Sequence, residues 1–507
     1  MKRQQKIYVL LAISLIFQSS FSGNCQSINN NDSIPEALRP FIKAIEEPCV
    51  FKEIPDFIKS KPHDKITKSH AHEDIEMLQY LFDNAYSGRY YWEQNGFNFN
   101  NYYQKLHDFI DSFPDDTIDV KKFENCIYNN LYPINDGHTA IVGFLFQGLY
   151  RSVKPYYAEI ILEKKNNKYI VIQSNQLGIK IGAEYLDSSN YLFKTLSKKG
   201  TEQFLIGTLS IVSIDTLSVK FSDGKKILSL HPSKLSNFPV DRDQKIVNID
   251  TVSNIPVIRS STFNWSKENV KYLESFIDYG KNLKDKPIFI WNLAGNWGGD
   301  ANFPYRFIEN FNNICQNESY ELVLHSPAVN QCYWSGKNSW IEWPEIYKKA
   351  LNDDNIPLDS IPTGKREKIR KIREDKKVMV SNPIKYWEIR MKPEKKYGNY
   401  KGKTIILVNN ETGSAANDAV AASKSIPNGI IIGENTAPSY SIGNIKWYQL
   451  KNTLIVLWLP GNLGIHPDNK MEKGFFPDFW LDSNKPIDEI INWLNNPDSY
   501  QFKYLNE

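Results

Sequence analysis

Residues 404–436 read "TIILVNNETGSAANDAVAASKSIPNGIIIGENT". The apolar run Thr404–Val408 has strand character and Gly429–Ile432 repeats it, while the stretch between is rich in small residues and reads as a helix. Ser414 falls at the corner where the first strand turns into that helix. There a side chain can stand exposed while the next backbone N–H groups point toward it. A serine so placed is a candidate nucleophile, and a hydroxyl becomes one only when a base removes its proton. No base lies nearby in the sequence, so it has to come from elsewhere in the chain.

Strand and helix patterns alternate through the preceding region as well. Pro256–Ser260 and Ile288–Trp291 read as strands. Val270, Leu273 and Ile277 line one helical face, and Phe303, Phe307 and Phe311 another. The alternation predicts an α/β core with helices over a sheet, spanning 245–485. Residues 33–140 predict a helical domain, because Met77, Leu78, Leu81 and Phe82, then Leu106, Phe109, Ile110 and Phe113, then Phe123, Ile127 and Leu131 recur at helical spacing. Residues 150–235 read as short strands, with β-rich runs at 157–162, 169–172 and 209–214. "LSVKFSDGKKILSL" predicts a hairpin turning at Asp223-Gly224. The fold class is therefore α/β in the core and α+β over the whole chain. The basic stretch "GKREKIRKIREDKK" at 364–377 lies in an insertion near 325–400 and reads as a solvated helix face, with Trp334, Trp340 and Trp343 before it as packing residues.

The chain has 507 residues and a formal net charge of +3, a balance that argues against a nucleic-acid partner. Lys2, Arg3 and Lys6, the apolar run Ile7–Phe17 and the small residues Ser20 and Ser22 form the pattern of a secretory signal peptide over 1–22. That run is too short to span a bilayer. Export to a periplasmic or extracellular space is expected. Cys25 follows Asn24 rather than a small residue, which favours plain cleavage over lipidation; a membrane tether is expected only if Cys25 is lipidated. The five cysteines (25, 49, 126, 315 and 332) match no metal or redox spacing. "HAHED" at 70–74 has metal-binding letters without a companion cluster, and "NWGGD" lacks the ending of a phosphate loop. No cofactor and no metal are expected.

Four separated pieces stand in one order: "NDGHT" (135–139), "NLAGNWGGD" (292–300), "TGSAAND" (412–418) and "GENT" (433–436). Together with "IPVIRSSTF" (255–263) and "GFFPDFWL" (474–481), this arrangement resembles the tail-specific, or C-terminal-processing, serine peptidases and their relatives, the tricorn core proteases. The likeness runs from about residue 70 to 485. It implies a crotonase-like α/β protease core, a helical N-terminal domain and a PDZ-like module. "LGIKIGAEYL" (177–186) is similar to a PDZ segment, with Ala183 where Asp is usual. It also implies a peptide or protein substrate held in extended form.

The site residues follow from both readings. A tetrahedral intermediate needs aimed N–H donors, and the Ala415 amide and the Gly298-Gly299 turn are the candidates for the oxyanion hole. In the tail-specific branch the base is a lysine within Gly-Glu-x-Thr-x-Gly-Lys-Gly. Here Ser439 stands in place of that lysine and Pro438 in place of the glycine, which leaves Lys446 as a remote substitute. His138 is the expected base, since an imidazole titrates near neutrality. The tricorn-like branch implies a carboxylate beside it, expected at Glu472, and a serine before it, where this chain has Gly137. Ser439 is the candidate replacement for that serine. Two functions remain open: an exported serine endopeptidase, and a catalytically silent peptide-binding protein that keeps the fold.

Overall fold

The computed structural model describes residues 60–235, 246–315 save 267, 322–325, 388–391, 397–466 and 469–496 save 471, with single positions at 357, 359, 366 and 370. The signal pattern, Cys25, Cys49, Cys332, the three tryptophans and nearly all of the basic stretch lie outside the described residues.

The architecture mixes helix and sheet. Helices Lys68–Asn84, Arg89–Gln94, Phe99–Asp111 and Val120–Leu131 come first. Three of them begin where a side-chain oxygen takes an otherwise unpaired N–H: Thr67 from His70, Asn98 from Asn101 and Asp119 from Lys122. Their apolar stripes, Leu78, Leu81 and Phe82 with Leu106, Ile110, Phe123 and Ile127, are fully buried. That core continues into Ile442, Tyr448, Leu457 and Leu463, so the helices share a hydrophobic interior with a sheet built far downstream. Buried Asp74 clasps the same sheet, accepting from the Thr453 amide and hydroxyl, each at 2.7 Å.

Residues 154–232 form an eight-stranded sheet with a core of Ile160, Leu162, Val171, Ile206, Val219 and Leu228. Its strands include Lys154–Lys165, Lys168–Ser174 and Glu202–Ser210. The hairpin pairs Thr216–Phe221 with Gly224–Ser229, and Phe221 faces Gly224. The two linking residues are therefore Ser222 and Asp223, one position earlier than the Asp-Gly reading; Gly224, at φ +119°, opens the return strand. Two other readings shift too. The run at 209–214 leaves its strand after Ser210, and of 177–186 only Glu184–Tyr185 is strand. Backbone bonds through Gly182 and Ala183 to Val171 replace a regular ladder there.

The main sheet has strand order Val247–Val252, Ile255–Ser260, Ile288–Asn292, Lys403–Val408, Gly429–Gly433, Phe479–Trp480. The first pair is antiparallel and the rest are parallel. Helices Val270–Tyr279, Asn302–Asn312 and Ala415–Ser423 cover one face, with Phe276, Trp291, Phe307 and Ala419 in the shared core. Parallel strands buried on both faces explain the continuous apolar runs in the sequence. Asp478 locks the last strand by accepting from the Ile431 amide and donating its own amide to the Ile431 carbonyl, both at 2.8 Å. A second sheet, in the order Glu388–Met391, Leu322–His325, Val456–Ile465, Ala140–Val142, Phe146–Gly148, carries Ile442–Gln449 on the other edge of Val456–Ile465. The Ala140–Val142 strand ties the end of the helical region to this second sheet. Among the described residues no helix is long and apolar enough to cross a membrane.

Lys403 opens a central strand and is only 7% exposed. Burial pulls its ammonium down to about 8. A depressed lysine makes the unfolded chain the better proton binder, so stability rises as pH climbs from about 8 toward the ordinary lysine value. Lys403→Met should be more stable than the parent near neutrality, by about 1–2 kcal/mol, and the gap should narrow above pH 8. Urea denaturation of both proteins between pH 7 and 10 measures it.

Candidate active site

The site sits beyond the carboxyl ends of the parallel strands, where such sheets open crevices. Strand Lys403–Val408 runs out into a turn closed by Asn409 and Thr412. The Thr412 amide donates to the Asn409 carbonyl, and its hydroxyl donates across to the Leu293 carbonyl at 3.0 Å. Gly413 donates to the Asn296 carbonyl at 2.9 Å. Ser414 then adopts φ +50°, ψ −124°, a conformation that costs an L-residue about 1–3 kcal/mol and that the surroundings must enforce. They do so through the amide of Ser414, which donates to Ser439 Oγ at 2.8 Å, and through the carbonyl of Ser414, which accepts from Asp418 in the first helical turn. The strain lifts the Ser414 side chain off the helix axis and leaves it half-buried at the crevice.

His138 meets it. Its Nε2 lies 3.2 Å from Ser414 Oγ, although 276 positions separate the two residues in the chain. Its Nδ1 hydrogen bonds to the carbonyl of Ile442. A carbonyl can only accept, so the proton of the neutral ring sits on Nδ1 and Nε2 presents its lone pair to the serine hydroxyl. The turn that carries the ring is pinned by Asp136. Its Oδ1 accepts the His138 amide at 2.8 Å, and its Oδ2 accepts the hydroxyls of Tyr86 (2.9 Å) and Thr139 (2.5 Å). Burial pushes the Asp136 carboxyl up, and the Thr139, His138 and Tyr86 donors partly offset it.

The glycine turn closes the site from the other side. Phe263 pairs with Gly299 in a parallel bridge that uses the Gly298 carbonyl and the Asp300 amide. Alternation along an extended strand therefore turns the Gly299 N–H the opposite way. Gly298 itself is at φ +98°, and a Cβ there would fall 2.6 Å from both the Ala415 nitrogen and Ser414 Cβ. The loop thus rests against the nucleophile as closely as a backbone can. The amide of Gly298 donates to Asn296 Oδ1 at 2.9 Å, so it is spent. Gly299 and Ala415, the latter at the start of its helix, carry the amides left to face the crevice.

Two expected partners stand elsewhere. Glu472 is not on the imidazole: it accepts from the Tyr91 hydroxyl at 2.8 Å, and the Ile442 carbonyl holds the ring position expected for it. Burial first, then the Glu472 carboxylate, push the Tyr91 hydroxyl well above its ordinary value. Ser439 does not touch the imidazole either, but a Cβ built on Gly137 would lie 2.5 Å from Ser439 Cβ. Ser439 therefore fills the space that a side chain before His138 would need, and it spends its hydroxyl on the Ser414 amide. Lys446 is buried within its strand, paired across from Leu459. Residue types alone did not single out Asp136, Tyr86 or Asn296. The signal available was an unusual density of Asn and Asp in the three loops that meet here.

"GENT" is scaffolding. Asn435 donates to the carbonyls of Val153 and Lys473, and Thr436 binds Phe475 in both directions, which fastens the closing segment. Among the described residues no group of three or more His, Cys, Asp or Glu could hold a metal.

No family model matches the chain, and no curated protein matches it. Solved structures of similar arrangement include mature CPAF with lactacystin, at 12% identity and TM-score 0.43, covering 86% of this chain and 98% of that one. The photosystem II D1 C-terminal processing protease aligns at 13% identity and TM-score 0.36, over 82% of this chain and 94% of the other. The tricorn protease aligns at 13% and 0.35, over 87% of this chain and 37% of its own length. At such distances the likeness assigns no chemistry, which rests on the geometry above.

Gly298→Ala should cost about 1–3 kcal/mol, because the new methyl would meet backbone that cannot move without displacing Ser414. Thermal unfolding of this variant beside Ser439→Ala, which adds no clash but takes away the acceptor of the Ser414 amide at 2.8 Å and of Asn417 Nδ2 at 3.4 Å, at about 1 kcal/mol per hydrogen bond, compares the cost of overlap with that of the lost bonds.

Proposed function

We propose that this chain is a serine endopeptidase, related in design to the tail-specific and tricorn-type enzymes, with a Ser-His pair in place of Ser-Lys. The observation that carries the reading is the 3.2 Å contact between His138 Nε2 and Ser414 Oγ, with Nδ1 committed to a carbonyl. In this reading Ser414 Oγ attacks the scissile carbonyl carbon while its proton passes to His138 Nε2. The Gly299 and Ala415 amides hold the oxyanion. Collapse of the intermediate expels the amine, which takes the proton from Nε2, and a water activated by the same nitrogen then releases the acyl group. The imidazolium that forms is held through Nδ1–H to Ile442. Asp136 acts as a positioning residue, through the backbone of the turn. The substrate is a peptide or protein in extended form, and the enzyme works outside the cytoplasm after loss of residues 1–22.

One observation favours the second reading, a silent peptide binder: the imidazole faces a neutral carbonyl, whereas a carboxylate would stabilise its charged form more strongly. A fluorophosphonate probe separates the two. The peptidase reading expects a covalent adduct on Ser414, absent in Ser414→Ala and formed at least about 10²-fold more slowly in His138→Ala. A folded protein that takes up no probe would overturn it.

A further inference from the structure

Three side chains that take no part in the acyl transfer meet beside the serine corner. Trp297, the residue before the glycine turn, is 47% exposed. The Tyr150 ring packs edge-on against it, with centroids 5.3 Å apart and planes at 79°, so the indole is held in place yet stays open on nearly half its surface. Tyr150 spends its hydroxyl on the Asn410 carbonyl at 3.1 Å, which ties the aromatic pair to the turn leading into Ser414. The next residue of that turn is Glu411, three positions before the nucleophile. Its amide goes to Asn409 Oδ1 at 3.2 Å. Its half-buried side chain has no hydrogen-bond or ion-pair partner among the described residues.

A half-buried carboxylate without a donor, next to an open aromatic ring, is the complement of a cation. A long basic side chain lays its methylenes on apolar surface and carries its charge at the far end. An indole face attracts that charge, and a carboxylate pairs with it. Arg151, beside Tyr150, does not fill the place: it turns away, over the Tyr132 ring at 4.2 Å and to the Ile134 carbonyl. Asp300, on the far side of the glycine turn, already accepts from the amide and side chain of Asn302. Burial pushes the Tyr150 hydroxyl up to about 12, and the Glu411 carboxylate adds to the rise, which puts it within electrostatic reach of the ring pair. Covalent geometry sets the pair beside the chemistry. Trp297 precedes Gly298, whose added Cβ would lie 2.6 Å from Ser414 Cβ, and Glu411 is separated from Ser414 only by the buried Thr412 and Gly413.

We infer that Trp297 and Glu411 form a specificity subsite for a basic side chain, lysine or arginine, on a residue next to the scissile bond. The inference rests on the peptidase reading and gives it a substrate class, extended peptides with a positive charge at one position beside the cut. Tyr150 is a positioning residue that holds the indole.

The full chain carrying Ser414→Ala is titrated calorimetrically with one N-acetylated, C-amidated alanine hexapeptide whose central residue is Arg, Gln or Glu. The Arg form should bind at least about fivefold more tightly than the Gln form, and the Glu form more weakly than either. Adding Glu411→Gln should erase the gap between Arg and Gln, and Glu411→Arg should reverse the order in favour of the Glu form. Trp297→Ala, at an exposed position, should cut the Arg preference at least about twofold even where the Glu411 variants do not fold. Equal affinity for all three forms, no measurable binding of any, or an Arg preference that survives both Glu411→Gln and Trp297→Ala overturns the subsite. Probe labelling of Ser414 in the parent protein is read separately. A labelled enzyme without the Arg preference sinks the subsite alone, and an unlabelled protein with the preference sinks the peptidase reading alone.

Discussion

Everything at the crevice depends on one hydrogen bond between a ring nitrogen and a main-chain carbonyl, His138 Nδ1–H to Ile442. It selects the tautomer that leaves a lone pair on Nε2, and it fixes the plane of the ring, so the serine hydroxyl meets a base and not a second donor. The two ends of that bond come from opposite halves of the chain. They stay together because both belong to one sheet: Ile442 starts a strand paired with Val456–Ile465, and that strand also pairs with Ala140–Val142, just after the histidine. The buried Glu124 carboxylate steadies the end of this short strand by accepting the amides of Phe144 and Leu145. The imidazole is therefore placed by main-chain ladders, which resist displacement better than a lone side-chain contact.

The nucleophile is held by the opposite strategy, a strained residue surrounded by committed polar groups. Loops that leave the ends of buried strands carry N–H and C=O groups away from water, and each needs a partner. Asn296 and Asn409, both buried, supply them. Asn296 bridges the Ser260 carbonyl to the Gly298 amide and receives Gly413 on its own carbonyl, while Asn409 accepts from Gly295. The glycine turn and the serine corner thereby become one rigid body. Such preorganisation lets two amides face a developing oxyanion without rearrangement.

The crevice residues were legible to very different degrees. Ser414 could be found locally, because a strand, a small-residue helix and a corner between them are all written in adjacent residues. His138 came from motif order, since nothing about its immediate neighbours says what it faces. The carboxylate assignment failed for a physical reason. Orienting an imidazole requires an acceptor, and a backbone carbonyl is an acceptor that residue letters never reveal, so Glu472 was free to bond Tyr91. Ser439 was legible as a departure from a lysine, but its use became clear only in space, where it occupies the volume missing at Gly137 and holds the strained serine amide.

The sequence by itself determined the local grammar: apolar runs that become buried parallel strands, helical stripes in the first third, the Gly298-Gly299 turn, and the corner that presents Ser414. These follow from short-range sterics and from the periodicity of side chains along helix and strand. Tertiary structure decided the rest: which acceptor holds the imidazole, which glycine amide remains unspent, and how the helical region shares a core with a distant sheet. Those outcomes depend on the directions of backbone groups brought together across hundreds of residues, and hydrogen-bond direction is a property of the folded chain, not of its letters.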